Sequence, residues 1–438
     1  TVDEAVTALA WSIYEPARAR ELAETAVRDT GLGNVESKVI KNMRKTFGCL
    51  RDLMRVRSVG IIEERPEKGL VLYAKPIGVV AAVAPSPNPA ATPVNKAMMA
   101  VKGRNAVIVA PSPAGLSTTS QTVEYMRDEL RKVGAPEDLV QVLPAPVNKA
   151  LTQELMNQAD LVVVTGSQNN VRRAYSSGTP AIGVGAGNVP VIIDSTADLQ
   201  DAAKKIMMSK CFDNATSCSS ENSVTILDDV YEDAIQALKD AGGYLVTSEE
   251  KQKILETLWV GGHLNRHVIA KDPDVLAEHC GLSEEAKSAK FFLVEDQNGV
   301  GKDYPLSDEK LSLVLTVYRV KNFSEAKTHV QNVLDFVGMG HSVGIHTKEE
   351  AHAAELAEDL RVVRVLVNQG HTFGNGGSFD NGLNFTLSMG CGSWAGNSIS
   401  ENLNYKNFLN ITHLVRTIPE DKPSEEALFG NHWEKYGK

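Results

Sequence analysis

Residues 77–103 read Ile-Gly-Val-Val-Ala-Ala-Val-Ala-Pro-Ser-Pro-Asn-Pro-Ala-Ala-Thr-Pro-Val-Asn-Lys-Ala-Met-Met-Ala-Val-Lys-Gly. The first eight of these residues form an apolar run that is typical of a buried strand. A helix is predicted over 91–103, with Thr92 as its N-cap, a proline in its first turn and Gly103 at its end. Parallel α/β sheets bind ligands at the carboxyl ends of their strands. The polar loop between strand and helix is therefore a candidate ligand-binding loop.

Strand-like and helix-like segments continue to alternate after this unit. Further strands are predicted at 105–110, 139–143 and 161–165, and further helices at 117–132, 148–158 and 169–177. Strands this rich in Val, Ile and Leu are covered on both faces, which indicates a parallel sheet. A second α/β region follows from about residue 195. The predicted fold class is therefore α/β, with two doubly wound domains.

Three other segments do not fit this alternation. Residues 1–57 have the 3.6-residue apolar spacing of helices. The segments 58–74 and 408–418 have the pattern of strands without a local partner. Because an unpaired strand edge is available for pairing with another chain, we expect these two segments to form an arm shared between subunits of a homodimer or homotetramer.

Composition limits the classes of protein that remain possible. The 438 residues, 42% hydrophobic and 23% charged, suit a globular protein of two or three domains. A net charge of −10 argues against nucleic acid as a partner, and the chain lacks an apolar run long enough to cross a membrane. Five cysteines without a C-x-x-C pair favour the cytoplasm.

Two expectations concern the ends of the chain, and one concerns metals. The chain begins at Thr1 inside an amphipathic pattern, so we expect its natural N-terminus to lie upstream. The charged tail, 419–438, is expected to be loosely held. The His and Cys residues lack the spacing of a ligand set, so no metal site is expected.

The stretch most suggestive of chemistry is Cys211-Phe-Asp-Asn-Ala-Thr-Ser-Cys218-Ser-Ser-Glu-Asn-Ser-Val224. It joins a helix-like run to a strand-like run, so a thiol there is within reach of a substrate. Backbone N–H groups beside such a thiol can lower its pKa or hold an oxyanion. The alternative is that Cys218 is an ordinary small core residue, as most free cysteines are.

Two glycine-containing segments resemble phosphate-binding loops. Gly166 and Ser167 follow a predicted strand and open a helix, whose N-terminal N–H groups could meet a phosphate. Residues 183–187, Gly-Val-Gly-Ala-Gly, resemble a dinucleotide fingerprint but lead into a strand, whereas the fingerprint requires a helix. We interpret 183–187 as a tight crossing of the backbone.

Four segments occur in one order along the chain: Phe212-Asp-Asn…Cys218, Glu309-Lys-Leu-Ser, Gly340-His341 and Gly390-Cys-Gly-Ser-Trp-x-Gly-Asn-Ser-x-Ser-Glu-Asn402. Together they resemble the aldehyde dehydrogenase superfamily, and specifically its CoA-acylating branch, over nearly the whole chain. The resemblance implies an aldehyde dehydrogenase-like fold. Residues 1–57 and 75–194 would form its dinucleotide-binding domain, and residues 195–395 its catalytic domain.

The resemblance also implies roles for three residues. Cys218 matches the nucleophile, whose sulfur adds to the aldehyde and then carries a thioester. Asn88 matches the side-chain donor of the oxyanion hole. Glu309 matches the carboxylate that holds the nicotinamide ribose, although a solvated surface charge is the alternative. Retention of all three argues against a silent scaffold protein.

Cofactor residues are expected at the strand ends of the first domain. The resemblance places Pro85, Ser112, Gly166 and Ser167 beside NAD or NADP. Near Ser112 the sequence offers neither an acid for two ribose hydroxyls nor an Arg for a 2′-phosphate. Lys102 and Arg104 are close in sequence, so NADP is possible, and the resemblance favours it slightly over NAD.

A missing carboxylate separates the acylating from the hydrolytic reaction. Hydrolytic relatives carry a Glu that activates water, and Val184 stands where we would place it. The thioester is therefore expected to await coenzyme A, which argues against a hydrolytic dehydrogenase or an esterase-like thiol enzyme. His341 matches a histidine thought to assist proton transfer. Its alternative role is to order the glycine-rich loop.

The substrate expected from the resemblance is a small aldehyde with an anionic end, sulfoacetaldehyde ahead of succinate semialdehyde, with acetaldehyde as an alternative. The loop 370–378 is expected to cover the aldehyde tail. It would bind an anion through neutral donors and backbone amides. Its candidate substrate residues are His371, Thr372, Asn375 and Ser378. The alternative is that this loop is a structural hinge.

Overall fold

The computed structural model describes residues 1–297 and 299–438, and it has the α/β fold predicted from the sequence. The α-helices of these residues are α1 (Val2–Tyr14), α2 (Pro16–Thr30), α3 (Val35–Met54), α4 (Ala91–Lys102), α5 (Leu116–Lys132), α6 (Lys149–Gln158), α7 (Gln168–Tyr175), α8 (Leu199–Cys211), α9 (Tyr231–Asp240), α10 (Ser248–Leu258), α11 (Pro273–His279), α12 (Phe323–Phe336), α13 (Glu350–Asp359), α14 (His371–Gly374) and α15 (Glu425–Tyr436).

The strands alternate with these helices through most of the chain. They are β1 (Gly60–Arg65), β2 (Leu70–Pro76), β3 (Val79–Val83), β4 (Ala106–Ala110), β5 (Val140–Val142), β6 (Leu161–Val164), β7 (Ala181–Ile182), β8 (Val189–Ile193), β9 (Glu221–Leu227), β10 (Gly243–Leu245), β11 (Trp259–Val260), β12 (His263–Leu264), β13 (Phe291–Glu295), β14 (Val314–Val320), β15 (Val343–His346), β16 (Val365–Val367) and β17 (Leu409–Val415).

The first sheet is parallel and has the order β5-β4-β3-β6-β7. Its apolar strands pack against α4 and α5, as continuous Val and Ala runs require, and α1 and α3 pack behind these helices in the same core. Helix α4 confirms the predicted stop at Gly103, but the predicted N-cap is wrong. Thr92 lies inside the first turn, and its buried hydroxyl has no hydrogen-bond partner among the described residues.

The second sheet is parallel and has the order β10-β13-β14-β9-β8-β15-β16. Strand β8 belongs to it, so the domain boundary predicted at Asp194 lies too late in the chain. The chain passes from one sheet to the other between Ile182 and Val189, within the glycine-rich segment 183–187. Later, Phe385, Leu403 and Phe408 return to the core of the first sheet, so both regions contribute walls to the cleft between them.

The third sheet is antiparallel and has the order β1-β2-β17. The sequence analysis found no local partner for the 58–74 hairpin or the late strand, and this was wrong because they pair with each other within one chain. The outer edges of β1 and β17 remain open. The tail contains α15, a helix that the sequence analysis did not predict and that has no buried residue.

No helix in the described part of the chain is long and apolar enough to cross a membrane.

Candidate active site

A cleft of about 1050 Å³ lies between the two parallel sheets. The loops after β3, β4 and β6 form one wall, and they stand at the carboxyl ends of their strands, where such sheets bind ligands. Helix α3, the Cys218 loop and the segment around Thr372 form a further part of its lining.

Cys218 follows a short 3₁₀ turn, Phe212–Ala215, that ends α8. Asp213, Asn214 and Ala215 all have positive φ, at 51°, 52° and 60°. Left-handed backbone is unfavourable for an L-residue, though less so for Asp and Asn than for Ala, so three in succession must be held by their surroundings. This turn redirects the chain from α8 so that Cys218 faces the cleft.

The carboxylate of Asp213 holds this turn against α3. Its Oδ2 accepts from Lys41 Nζ at 2.6 Å, from Lys38 Nζ at 3.0 Å and from Thr216 Oγ1 at 2.8 Å, and all four side chains are buried. Burial alone would raise the pKa of Asp213, but Lys41 and Lys38 outweigh it and hold that pKa below its usual range. Because a buried ion pair is costly to break on one side, these contacts fix the nucleophile loop firmly.

Asn88 lies in the loop after β3 and also lines the cleft. Its Oδ1 accepts from Lys41 Nζ at 2.8 Å. An ammonium group can only donate, so the amide oxygen must face Lys41 and the NH₂ group is left free to donate elsewhere. One lysine therefore orients both Asn88 and the loop that carries Cys218.

His341 is the polar neighbour of the thiol. Its Nε2 lies 3.4 Å from Cys218 Sγ, and its Nδ1 lies 2.7 Å from Ser342 Oγ. That hydroxyl also lies 2.8 Å from Nε2 of His371, so a chain of four side chains leads inward from the sulfur. Burial, helped by Arg364, lowers the pKa of His341 to about 3, so the imidazole is neutral near pH 7.

The resting state of Cys218 differs from the sequence-based expectation of a lowered pKa. Burial, with smaller contributions from Glu309 and Cys391, raises the pKa of Cys218 to about 12. The resting sulfur is therefore a thiol. A thiol that donates to a neutral imidazole loses its proton only as the sulfur attacks.

Two glycines let backbone segments pass close to each other at the site, and one of them lies in the 183–187 crossing interpreted from the sequence. A Cβ on Gly187 would lie 2.2 Å from the carbonyl oxygen of Cys218, and a Cβ on Gly340 would lie 2.1 Å from that of Cys391. Real Cβ atoms do not approach so closely, so only glycine fits either position. Residues 183–187 are thus a crossing packed on the nucleophile loop.

The residues predicted to bind the dinucleotide all line the cleft. Pro85, Ser112, Gly166 and Ser167 lie at the strand-end wall, although the hydroxyls of Ser112 and Ser167 already cap the helical turns that follow them. Glu309 also lines the cleft. Burial, reinforced by Asp308, raises its pKa to about 8, against the opposing effect of Lys310 and Lys210.

Two cations proposed near the nucleotide are occupied elsewhere. Lys102 Nζ pairs with Asp3 at 2.6 Å, and Arg104 donates to the carbonyl of Ala74 at 2.9 Å. Neither lines the cleft. Lys149 and Arg173 do line it.

Of the four residues predicted to bind substrate, only Thr372 lines the cleft. His371 lies behind His341 and contacts Ser342. Asn375 links Arg364 to Ser219, next to the nucleophile, and Ser378 accepts from Arg44. These three side chains do not line the cleft and support its wall through these hydrogen bonds.

The cations of α3 are candidate functional residues that were not predicted from the sequence. Lys41, Arg44 and Lys45 line the cleft beside Cys218, yet the sequence gives them no motif. Their spacing places them on one helical face, which was the only available signal. Among the described residues, six cations and one carboxylate, Glu309, line the cleft, whereas the whole chain carries a net charge of −10. The cations are Lys41, Arg44, Lys45, Lys149, Arg173 and Arg266.

Comparison with known proteins matches this site to one family. The aldehyde dehydrogenase family profile matches residues 8–258. An acylating sulfoacetaldehyde dehydrogenase of Cupriavidus necator is 51% identical over 438 residues, covering 100% of this chain and 89% of that protein. An acetylating succinate-semialdehyde dehydrogenase of Clostridium kluyveri is 39% identical over 431 residues, covering 98% and 94%.

The fold comparison agrees with the sequence comparison. The crystal structure of an acetylating aldehyde dehydrogenase from Geobacillus thermoglucosidasius superposes with a TM-score of 0.92 and 36% identity. The match covers 97% of this chain and 93% of that one.

The chain belongs to the aldehyde dehydrogenase family and is an oxidoreductase. The predicted resemblance to the acylating branch is confirmed, because relatives at 51% and 39% identity are acylating or acetylating dehydrogenases.

Proposed function

We propose that this enzyme oxidises a small anionic aldehyde, sulfoacetaldehyde ahead of succinate semialdehyde, to its CoA thioester. The relative at 51% identity is named for sulfoacetaldehyde. The single geometric observation that carries the proposal is the contact of 3.4 Å between Cys218 Sγ and a neutral His341, in a cleft that has Val184 in place of a water-activating carboxylate.

The first step forms a bond between Cys218 Sγ and the aldehyde carbon. The thiol proton passes to Nε2 of His341, and the electron pair of the C=O bond moves to oxygen. The NH₂ group of Asn88 and the backbone N–H of Cys218 stabilise that oxyanion. Asn88 is oriented for this task because Lys41 holds its carbonyl oxygen.

The second step oxidises the adduct. The strand-end loops of the first sheet and Glu309 fit a nicotinamide dinucleotide, since they frame a cleft rich in cations. When bound, NAD(P)⁺ supplies the hydride acceptor. As hydride leaves the carbon, the C=O bond re-forms, Cys218 holds a thioester, and the proton on His341 passes to solvent.

The last step releases the product. His341 takes the proton of the CoA thiol, whose sulfur attacks the thioester carbon, and Cys218 Sγ leaves and recovers that proton. Water competes poorly as a nucleophile, because Val184 stands at the position where a carboxylate would activate it. Glu309, the one carboxylate among the described lining residues, is assigned to the nucleotide.

For the nucleotide we propose NADP ahead of NAD. Support comes from Lys149 and Arg173, because both line the cleft and cations suit a ribose phosphate; Arg173 also donates to Gln153 and to the carbonyl of Lys149, which ties the two residues together. Comparing kcat/KM for NADP⁺ and NAD⁺ tests this choice. A higher value for NAD⁺ in the wild type contradicts it.

We also propose that the enzyme is a homodimer or homotetramer joined through the open edges of the β1-β2-β17 sheet. The exposed apolar residues of β17, including Val415, support this. Light scattering at micromolar concentration is expected to give a multiple of 47.3 kDa. A mass equal to that of one chain contradicts the proposal.

The catalytic proposal is tested by following reduction of NAD(P)⁺ with sulfoacetaldehyde, in the presence and absence of CoA. Sustained turnover is expected only with CoA, and mass spectrometry is expected to show the acyl-CoA product. Equal turnover without CoA, with sulfoacetate as the product, contradicts the acylating assignment.

A further inference from the structure

We propose that Arg44, Lys45 and Thr372 form a subsite that binds the anionic end of the aldehyde while Cys218 attacks the other end. The inference rests on the proposed function and deepens it by naming the residues that select the substrate. The shared chemistry is a terminal sulfonate or carboxylate. The experiment below distinguishes the two.

The three residues share one wall of the cleft that contains Cys218. Arg44 and Lys45 follow Lys41, the lysine that orients Asn88, by about one turn of α3. Cys218 is close enough to Lys45 to influence its pKa. A short aldehyde bound at the thiol therefore has this wall within reach of its far end.

Donors at this wall lack acceptors. Arg44 donates from Nη2 to Ser378 Oγ at 2.9 Å, but its Nη1 is buried and has no partner among the described residues. The same holds for Thr372 Oγ1. Lys45 Nζ donates to the carbonyl of Gly376 at 2.8 Å, which uses one of its three protons. Buried donors are normally satisfied, so the three side chains retain donors that could still take an acceptor.

Negative charge is also missing here. In residues 1–297 and 299–438, neither Arg44 nor Lys45 forms an ion pair. The carboxylate of Asp380 influences the pKa of Arg44 electrostatically. It accepts a hydrogen bond from Ser378 and forms no ion pair with Arg44 among the described residues. Burial, together with Arg44 and Lys41, lowers the pKa of Lys45 to about 7. A bound anion would restore its charge.

The chemistry fits a sulfonate or a carboxylate better than an alkyl tail. A sulfonate offers three acceptor oxygens, which match a guanidinium N–H, an ammonium and a hydroxyl. Aromatic rings hold Arg44 in place: its guanidinium lies 5.7 Å from the centre of the Phe373 ring and 5.4 Å from those of Phe379 and Phe385. A preorganised cation loses little entropy on binding, which favours affinity.

The competing explanation is that these cations bind a phosphate of CoA or of the nucleotide. Lys149 and Arg173 already provide cations at the strand-end wall, where the nucleotide is placed. The α3 wall, in contrast, adjoins Asn88 and the thiol. We therefore assign the α3 pair to the aldehyde, and measurement of all three Michaelis constants decides between the two.

The test uses the full chain with the variants Arg44→Gln, Lys45→Met and Thr372→Val. Arg51→Gln is the matched control, because Arg51 also lies over Phe379 and Phe385 but does not line the cleft. Sulfoacetaldehyde, succinate semialdehyde and acetaldehyde are compared with CoA and NADP⁺ present. Ethanesulfonate is added as an unreactive sulfonate to measure competitive inhibition.

Loss of one charge-assisted contact is expected to raise KM for sulfoacetaldehyde and Ki for ethanesulfonate by about tenfold to a hundredfold in Arg44→Gln and Lys45→Met. Thr372→Val is expected to have a smaller effect in the same direction. For acetaldehyde, kcat/KM is expected to stay within about threefold of wild type. The Arg51→Gln control is expected to keep the wild-type preference. If succinate semialdehyde responds as sulfoacetaldehyde does, the subsite accepts either anion; a response of only one identifies which.

Equal losses for acetaldehyde and the anionic aldehydes would overturn the subsite, as would an increase confined to KM for CoA or NADP⁺. So would the same change of preference in Arg51→Gln. Failure of the proposed function is a separate result. In that case the wild type forms no acyl-CoA from any of the three aldehydes, whatever the variants do.

Discussion

Two successive turns of α3 carry the same kind of residue and differ in what faces them. Lys38 and Lys41 meet the buried carboxylate of Asp213, whereas Arg44 and Lys45 meet no ion-pair partner among the described residues. The ammonium groups of the first pair are thereby engaged in ion pairs that hold the nucleophile loop. The second pair keeps unused hydrogen-bonding capacity, and both of its side chains line the cleft. A cation next to an active site is therefore structural or substrate-binding according to whether a carboxylate already neutralises it.

The largest effect is expected from removing the thiol of Cys218, the nucleophile that lies beside both turns of α3. Cys218→Ala is expected to lower kcat by more than about a thousandfold for anionic and neutral aldehydes alike, since a covalent nucleophile is lost. Binding of NADP⁺, followed by fluorescence, is expected to be unchanged. Cys211→Ala is the matched control, because that thiol does not line the cleft. Turnover of Cys218→Ala within about tenfold of wild type would contradict the role of nucleophile.

The second-largest effect is expected for Asn88, the oxyanion donor that Lys41 orients. Asn88→Ala is expected to lower kcat by about a hundredfold, because one oxyanion donor is lost. Asn88→Asp keeps the shape but removes the NH₂ group, so a similar loss is expected. Steady-state kinetics with each aldehyde measure this. Full activity of Asn88→Asp would exclude Asn88 from the oxyanion hole.

The same substitution in each turn then tests the comparison directly. Lys41→Met is expected to lower kcat about tenfold for every aldehyde, because Asn88 and Asp213 lose a common partner. The variant is also expected to melt at a lower temperature, since Asp213 stays buried with one ion-pair partner fewer. Lys45→Met, one turn later, is expected to spare kcat for acetaldehyde. If both variants show the same dependence on the aldehyde, the two turns do not differ in function.

The smallest effect expected concerns Glu309, the carboxylate that lines the cleft. The pKa of Glu309 is raised to about 8 by burial, so its carboxyl is protonated at pH 7 and becomes an anion as pH rises through 8. If the anion accepts from ribose hydroxyls, the Kd for NADP⁺ in Cys218→Ala is expected to fall severalfold between pH 7 and pH 9. Glu309→Gln in the same background is expected to show no such change. An identical pH dependence in both proteins would assign it to another group.

The loop 370–378 illustrates which part of a binding site a sequence pattern can predict. Thr372 was found because it lies in a glycine-rich loop that looked suited to a ligand, and it does line the cleft. His371, Asn375 and Ser378 share that loop, but their side chains bond to Ser342, Arg364 and Arg44 and not to the cleft. A loop pattern shows that a segment approaches a site. It does not show which side chains point into it.

The sequence by itself determined the α/β fold, the two parallel sheets and the position of the 183–187 crossing, because apolar runs and glycines act locally. Its order of motifs also identified the family. Only the tertiary structure decided that Cys218 rests as a thiol and that β17 pairs with the 58–74 hairpin. It also decided that the first two lysines of α3 meet a carboxylate and the next two cations, within the described part of the chain, do not. These depend on burial and on partners such as Asp213, which lies 172 residues from Lys41 in sequence. Electrostatic and hydrogen-bond energies are set by distances in space, and no local pattern records them.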